Sequence, residues 1–144
     1  MDDIQTYAQI GPILALGLPT IGSCIACYIA GAASHAAMTK TEEGLGKFIG
    51  LAATPSSQSI YGFILMMILY GRITAGAVSP ISGIAIGLIS GLAMMCSSIF
   101  QGKVAATGIQ ATLKQPSLFG KCFVAVGILE SFALFVFVFT LLII

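Results

Sequence analysis

The stretch VAVGILESFALFVFVF, Val124 to Phe139, is almost entirely hydrocarbon, yet it carries a carboxylate, Glu130, at its centre. A run this apolar reads as part of a bilayer-crossing segment, for which about 20 apolar residues suffice. The rest of the chain agrees. Of its 144 residues 58% are hydrophobic and only 8% charged, where soluble domains carry about 25% charged residues. The mean hydropathy is +1.05. The fold class is therefore an all-α membrane protein. Helices are the default because a span must satisfy its own backbone hydrogen bonds, and the period-two alternation of a membrane barrel is absent.

Working outward from Glu130, four helical spans are predicted: Ile10–Met38, Phe48–Tyr70, Pro80–Ile109 and Lys121–Ile144. They form two tandem hairpins within one membrane domain, residues 10–72 and 81–144, and the second hairpin carries the acid. An ungapped shift of 71 residues sets Gly31 against Gly102, Phe48 against Phe119 and Ser59 against Glu130. That pattern suggests an old duplication, carried more by hydropathy than by identities. The opening MDDIQTYAQ lacks the positive flank and cleavage site of a signal peptide, so the first span is expected to remain in the protein. Lys40, Lys47, Lys103, Lys114 and Lys121 flank the first and third loops, and Arg72 alone marks the second. By the positive-inside rule the first and third loops are cytoplasmic and both termini lie outside.

Spans one and three are thin. Gly11, Gly17, Gly22 and Gly31 punctuate the first, while Gly83, Gly87 and Gly91 sit four apart in the third. Such spacing lets helix backbones approach closely. Spans two and four carry bulk: Phe63, Met66, Met67 and Tyr70, then Phe132, Phe135, Phe137 and Phe139. Thin helices inside and thick ones outside suit a concentric arrangement. Ordinary close packing in a four-helix bundle would leave the same glycine spacing.

A carboxylate within a span is costly and marks an ion or substrate pathway by default. Burial favours the neutral acid, which suits a proton carrier; polar neighbours would instead let an ionised Glu130 hold a cation. The second span supplies such neighbours. Thr54, Ser57, Gln58 and Tyr61 fall at i, i+3, i+4 and i+7, one helix face. Pro55 removes a backbone donor, so the Leu51 carbonyl loses its helical partner and a kink is expected there; a bound cation is one way to satisfy the carbonyl. Gln101 in the third span adds an amide that can coordinate a cation or bond the carboxyl. With membrane edges set near Ile49, Ile109 and Cys122, the polar groups Ser57, Gln101 and Glu130 all lie roughly 12 Å deep, at about 1.5 Å per residue.

Other signals are weaker. Cys24 and Cys27 form a C-x-x-C inside a span with no charged neighbour to activate a thiol. All four cysteines lie in or beside apolar segments and read as small hydrophobes. His35 has no second ligand at a metal-binding spacing. No nucleotide-binding glycine loop is present. The net charge of +1, with no basic patch, gives no reason to expect nucleic acid.

Three motifs, PSSQSIYGF (Pro55–Phe63), IFQGK (Ile99–Lys103) and GILESFAL (Gly127–Leu134), together resemble the duplicated proteolipid subunit of the membrane rotor ring of V-type and A-type ATPases. The resemblance covers essentially the whole chain. It implies identical subunits in a ring that turns against a static membrane subunit, coupled to ATP hydrolysis or synthesis in a separate soluble head. The subunit itself would be non-catalytic, with no covalent cofactor, and would contact lipid and, at its cytoplasmic loops, central-stalk subunits. Each copy would carry one ion at Glu130, Na+ or H+. Likeness to the sodium-carrying branch implies a ligand set of the Thr54 backbone carbonyl, Ser57, Gln58, Gln101 and Glu130, locked by Tyr61 and supported by Pro55 and Ser59. Ser57 and Ser59 stand where that branch usually has threonine and glycine. A full set of oxygen donors is superfluous for a bare proton, so sodium is favoured. The rivals are a small four-helix proton-coupled multidrug transporter, whose acid would sit in the first span, a thiol oxidoreductase on Cys24 and Cys27, and a purely structural tetraspan protein.

Overall fold

The computed structural model describes residues 7–144. The reading of the extreme N-terminus, residues 1–6, lies outside the described residues. The described residues are helical, in the order α1 (Ile10–Met38), α2 (Leu45–Ala53), a 3-10 turn (Thr54–Ser56), α3 (Ser57–Thr74), α4 (Pro80–Lys114), a second 3-10 turn (Pro116–Leu118) and α5 (Phe119–Ile143).

The predicted second span is not one continuous helix. Pro55 cannot donate to the helical ladder, and the chain tightens into the 3-10 turn between α2 and α3. Among the described residues, three segments are long and apolar enough to cross a membrane: Ile10–Met38, Pro80–Lys114 and Pro116–Ile143. The arm formed by α2 and α3 lacks that signature because its break and its polar run SSQS interrupt the hydrocarbon. The third helix is longer than expected, at 35 residues. At about 1.5 Å per residue it outreaches a hydrocarbon core of about 30 Å. Its extra turns take in Gln110–Lys114, expected as loop. The start of α4 is well specified: Pro80 occupies the first turn, where a missing N–H costs nothing, and Ser79 caps the helix by accepting the Ser82 amide at 3.1 Å. The connections before α2 and α4 turn on Gly44 and Gly76, whose φ values of 73° and 75° favour glycine.

Helices α1 and α4 pack against each other and run parallel, since Gly11 meets Gly83 and Gly87, Gly22 meets Met95, and Ala26 meets Gly102. The seam is built from small residues, Gly11, Ala15, Gly22, Ala26, Ala30 and Ala37 on α1, all buried. A Cβ at Gly102 would lie 2.5 Å from the Ala26 Cα. Gly17 and Gly31, expected to thin this helix, have nothing within 4 Å of a built Cβ. They sit off the stripe, and alanines form the close contacts in their place. In α5 only Val126, Ala133 and Thr140 are buried, a single residue every two turns. Phe132, Phe135 and Phe139 remain exposed there, as do Phe63, Met67 and Tyr70 on α3. A helix apolar on every side belongs in lipid or against another apolar surface.

Candidate ion-binding site

The 3-10 turn and the start of α3 bring polar groups to the flank of α5 at Glu130. Ser57 Oγ donates to Glu130 Oε2 at 2.9 Å, Gln58 Nε2 at 3.0 Å and Gln101 Nε2 at 2.7 Å. The Tyr61 hydroxyl donates to the other oxygen, Oε1, at 2.6 Å. All four donors are uncharged. An ionised carboxylate is acceptor-only, with about four lone-pair sites, and four donors occupy it here.

The two glutamines lock each other. Gln58 Nε2 also donates to Gln101 Oε1 at 2.9 Å, and Gln101 Nε2 also donates to the Val126 carbonyl at 3.2 Å. Both are almost wholly buried, Gln58 at 0% and Gln101 at 1% exposure. Buried amides engaged on several sides hold a fixed orientation. The Tyr61 ring stacks on Phe137, centroids 5.7 Å apart, so the hydroxyl is aimed from an anchored ring.

Ser57 Oγ is the most informative atom. Three oxygens lie within its reach: Glu130 Oε2 at 2.9 Å, the Thr54 carbonyl at 3.1 Å and Gln58 Oε1 at 3.3 Å. A hydroxyl has one proton, so it can serve only one of the three at a time. Four oxygens, counting Ser57 itself, therefore lie close together where a positive charge could be shared among them.

Every residue of the sequence-derived ligand set is thus gathered at one place: Thr54, Ser57, Gln58, Gln101 and Glu130, with Tyr61 beside them. Two supporting residues act differently from expectation. The Leu51 carbonyl released by Pro55 is not left open, because the Thr54 hydroxyl donates to it at 2.8 Å. Pro55 therefore shapes the turn, and its own carbonyl accepts from Ser98 Oγ at 2.9 Å. Ser59 takes part in none of the hydrogen bonds at Glu130; it lies one residue beyond Gln58, rotated about 100° around the helix. Sequence reasoning passed over Ser97 and Ser98. Two adjacent hydroxyls one turn before Gln101, in an otherwise apolar helix, were the available signal.

Cys24, Cys27, Cys96 and Cys122 are free, and among the described residues no three His, Cys, Asp or Glu side chains come together.

A family model for the C-subunit of ATP synthase matches the chain twice, at residues 10–69 and 84–143. The chain belongs to the ATP synthase C-subunit family. Membership covers both halves, so the duplication inferred from hydropathy is a repeat of one family unit. The two matches begin and end 74 residues apart, close to the shift of 71 read from the sequence. The packed pairs Gly11–Gly83, Gly11–Gly87, Gly22–Met95 and Ala26–Gly102 lie in the same range of separation.

Among relatives, the A-type ATP synthase subunit K of Methanocaldococcus jannaschii is 33% identical over 124 residues, covering 86% of this chain and 55% of its own length. The V-type sodium ATPase subunit K of Enterococcus hirae is 27% identical over 146 residues, covering 97% of this chain and 94% of its own length. The chain thus spans about half of the first relative and nearly all of the second. Membership of the family disfavours the multidrug-transporter reading, as does an acid in the last helix instead of the first.

Proposed function

We propose that this chain is an ion-carrying subunit of the membrane rotor ring of a V-type or A-type ATPase, with sodium as the carried ion. The observation that supports sodium over a proton is the crowding at Ser57. Oxygens of Thr54, Gln58 and Glu130 all lie within 3.3 Å of the Ser57 oxygen, at 3.1, 3.3 and 2.9 Å. A proton needs only the carboxyl; a sodium ion needs several oxygens at once. The sodium ATPase relative points the same way.

Loading follows from charge. Glu130 is held by four neutral donors. When sodium enters, the Ser57 hydroxyl turns its lone pairs to the ion, beside the Thr54 carbonyl, Gln58 Oε1 and Glu130 Oε2, while the amide nitrogens keep their bonds. Tyr61 keeps its bond to Oε1 and holds the carboxylate in place. The loaded site is close to neutral and can pass through lipid as the ring turns; an empty, ionised Glu130 in lipid is penalised by several kcal/mol. Each monovalent ion that crosses exchanges about 2.3 kcal/mol per 100 mV. Several ions must therefore move per ATP, which requires many copies in one ring. ATP chemistry belongs to a separate soluble head, and this subunit is non-catalytic. Its partners are identical copies, a static membrane subunit that opens the site to water, lipid on the outer faces of α3 and α5, and stalk subunits at the first and third connections. Both termini face away from the cytoplasm.

Carbodiimide labelling of Glu130 in the purified protein, with and without sodium and across pH, tests this reading. The reagent attacks a protonated carboxyl. Single-site labelling that sodium blocks at constant pH is expected. Labelling governed by pH alone would make the carried ion a proton, and no labelling at all would remove the basis of the rotor assignment.

A further inference from the structure

Two hydroxyls behind the site hold the backbone that carries its oxygens. Ser97 Oγ donates to the Leu129 carbonyl on α5 at 2.6 Å, immediately before Glu130. Ser98 Oγ donates to the Pro55 carbonyl at 2.9 Å, immediately after Thr54, and lies 3.4 Å from Ser23 Oγ on α1. Ser98 is fully buried, at 0% exposure. A serine inside a helix by default bonds back to its own helix. Ser90, also buried on α4, does so, donating to the Ile86 carbonyl. Ser97 and Ser98 instead reach outward, one to each backbone segment that presents site oxygens.

The geometry points to Ser98 as a positioning residue: we propose that its hydroxyl sets sodium affinity by fixing the 3-10 turn that aims the Thr54 carbonyl and the Ser57 hydroxyl at the ion. The turn needs such a hold. Pro55 removes one ladder bond, and the turn's hydrogen bonding is poorer than that of an α-helix. α4 is the rigid element behind it, packed along α1. Because a cation senses the distance of each oxygen while a proton requires only the carboxyl, loosening the turn weakens sodium and leaves proton loading in place. The inference rests on the sodium reading.

The test compares wild type, Ser98→Ala, Ser98→Cys and Ser90→Ala as full-length protein in membranes. Sodium protection of Glu130 against carbodiimide and the sodium-free pH profile of labelling are both recorded. Loss of one hydrogen bond predicts a rise of roughly three- to tenfold in the half-protecting sodium concentration for Ser98→Ala. The sodium-free pH profile should stay where it is. Ser98→Cys, which keeps a weaker donor, should show a smaller rise, and Ser90→Ala should behave as wild type. Wild-type protection in Ser98→Ala overturns the proposal, as does an equal rise in Ser90→Ala or a shift of the pH profile matching the sodium effect. If Ser98→Ala does not assemble, the absence of any rise in Ser98→Cys overturns it. If wild type itself shows no protection by sodium, the sodium reading falls and this inference with it.

Discussion

The Tyr61 hydroxyl lies 2.6 Å from Glu130 Oε1, the carboxylate oxygen that Ser57, Gln58 and Gln101 do not contact. The contact spans two helices, α3 and α5, and ties the acid to an aromatic ring stacked on Phe137. Tyr61→Phe removes this bond and keeps the stack. The bond is made with and without sodium, so its own energy cancels from sodium affinity; what remains is the cost of ordering a freed carboxylate, about 0.5–1.5 kcal/mol, and the half-protecting sodium concentration should rise roughly two- to tenfold. A sodium titration of labelling measures it, and an unchanged midpoint would show that the hydroxyl does not lock the site.

Glu130→Gln should abolish carbodiimide labelling and sodium transport while the chain still folds, because the amide has the same shape: its one oxygen can accept from the Ser57 side and its NH2 can donate to the Tyr61 hydroxyl. Mass spectrometry of the labelled protein decides the first part and sodium uptake in vesicles the second. Residual labelling would place the reactive carboxyl elsewhere.

Gln101→Ala should impair stability and binding together. It leaves the Val126 carbonyl and the Gln58 amide each short of one partner. Unsatisfied buried polar groups cost about 1–3 kcal/mol each. Thermal unfolding in detergent should show the loss even without sodium. A variant as stable as wild type would mean that water or a rearranged Gln58 replaces the amide.

Gly102→Ala should destabilise the helix pair by about 1–3 kcal/mol, the usual cost of overpacking, since the new Cβ would meet Ala26 backbone at 2.5 Å. Gly17→Ala should be neutral or slightly stabilising, having open space around it. The two melting temperatures, measured side by side, separate the seam of α1 and α4 from glycines that merely lie in an apolar helix. Equal effects would sink the seam.

The membrane class, the helical state and the importance of Glu130 were legible in the sequence because they depend on local composition: a run of hydrocarbon must span, and a lone acid within it must be exceptional. The shared polar face of Thr54, Ser57, Gln58 and Tyr61 was legible too, since helical periodicity alone puts those residues together. A kink at Pro55 in the second arm was legible, but its form as a 3-10 turn was not, because the consequence of Pro55 depends on what satisfies its neighbours. The Leu51 carbonyl could have awaited an ion, a water or a side chain, and the Thr54 hydroxyl one turn away took it. Gly17 and Gly31 were misassigned for a similar reason: spacing shows that a helix is thin, and only the partner's position shows on which side.

What the sequence determined by itself is thus the inventory: apolar segments long enough to span, one acid, polar side chains at matching depth, and a repeat. The tertiary structure decided how the donors divide, three on Oε2 and one on Oε1, and that Ser97 and Ser98 reach across to Leu129 and Pro55. The physical reason is range. Propensity and hydropathy act within a few residues, whereas Ser57 and Glu130 are 73 residues apart in the chain. Their meeting depends on how closely α1 and α4 approach and on the angle at which α5 closes over the turn.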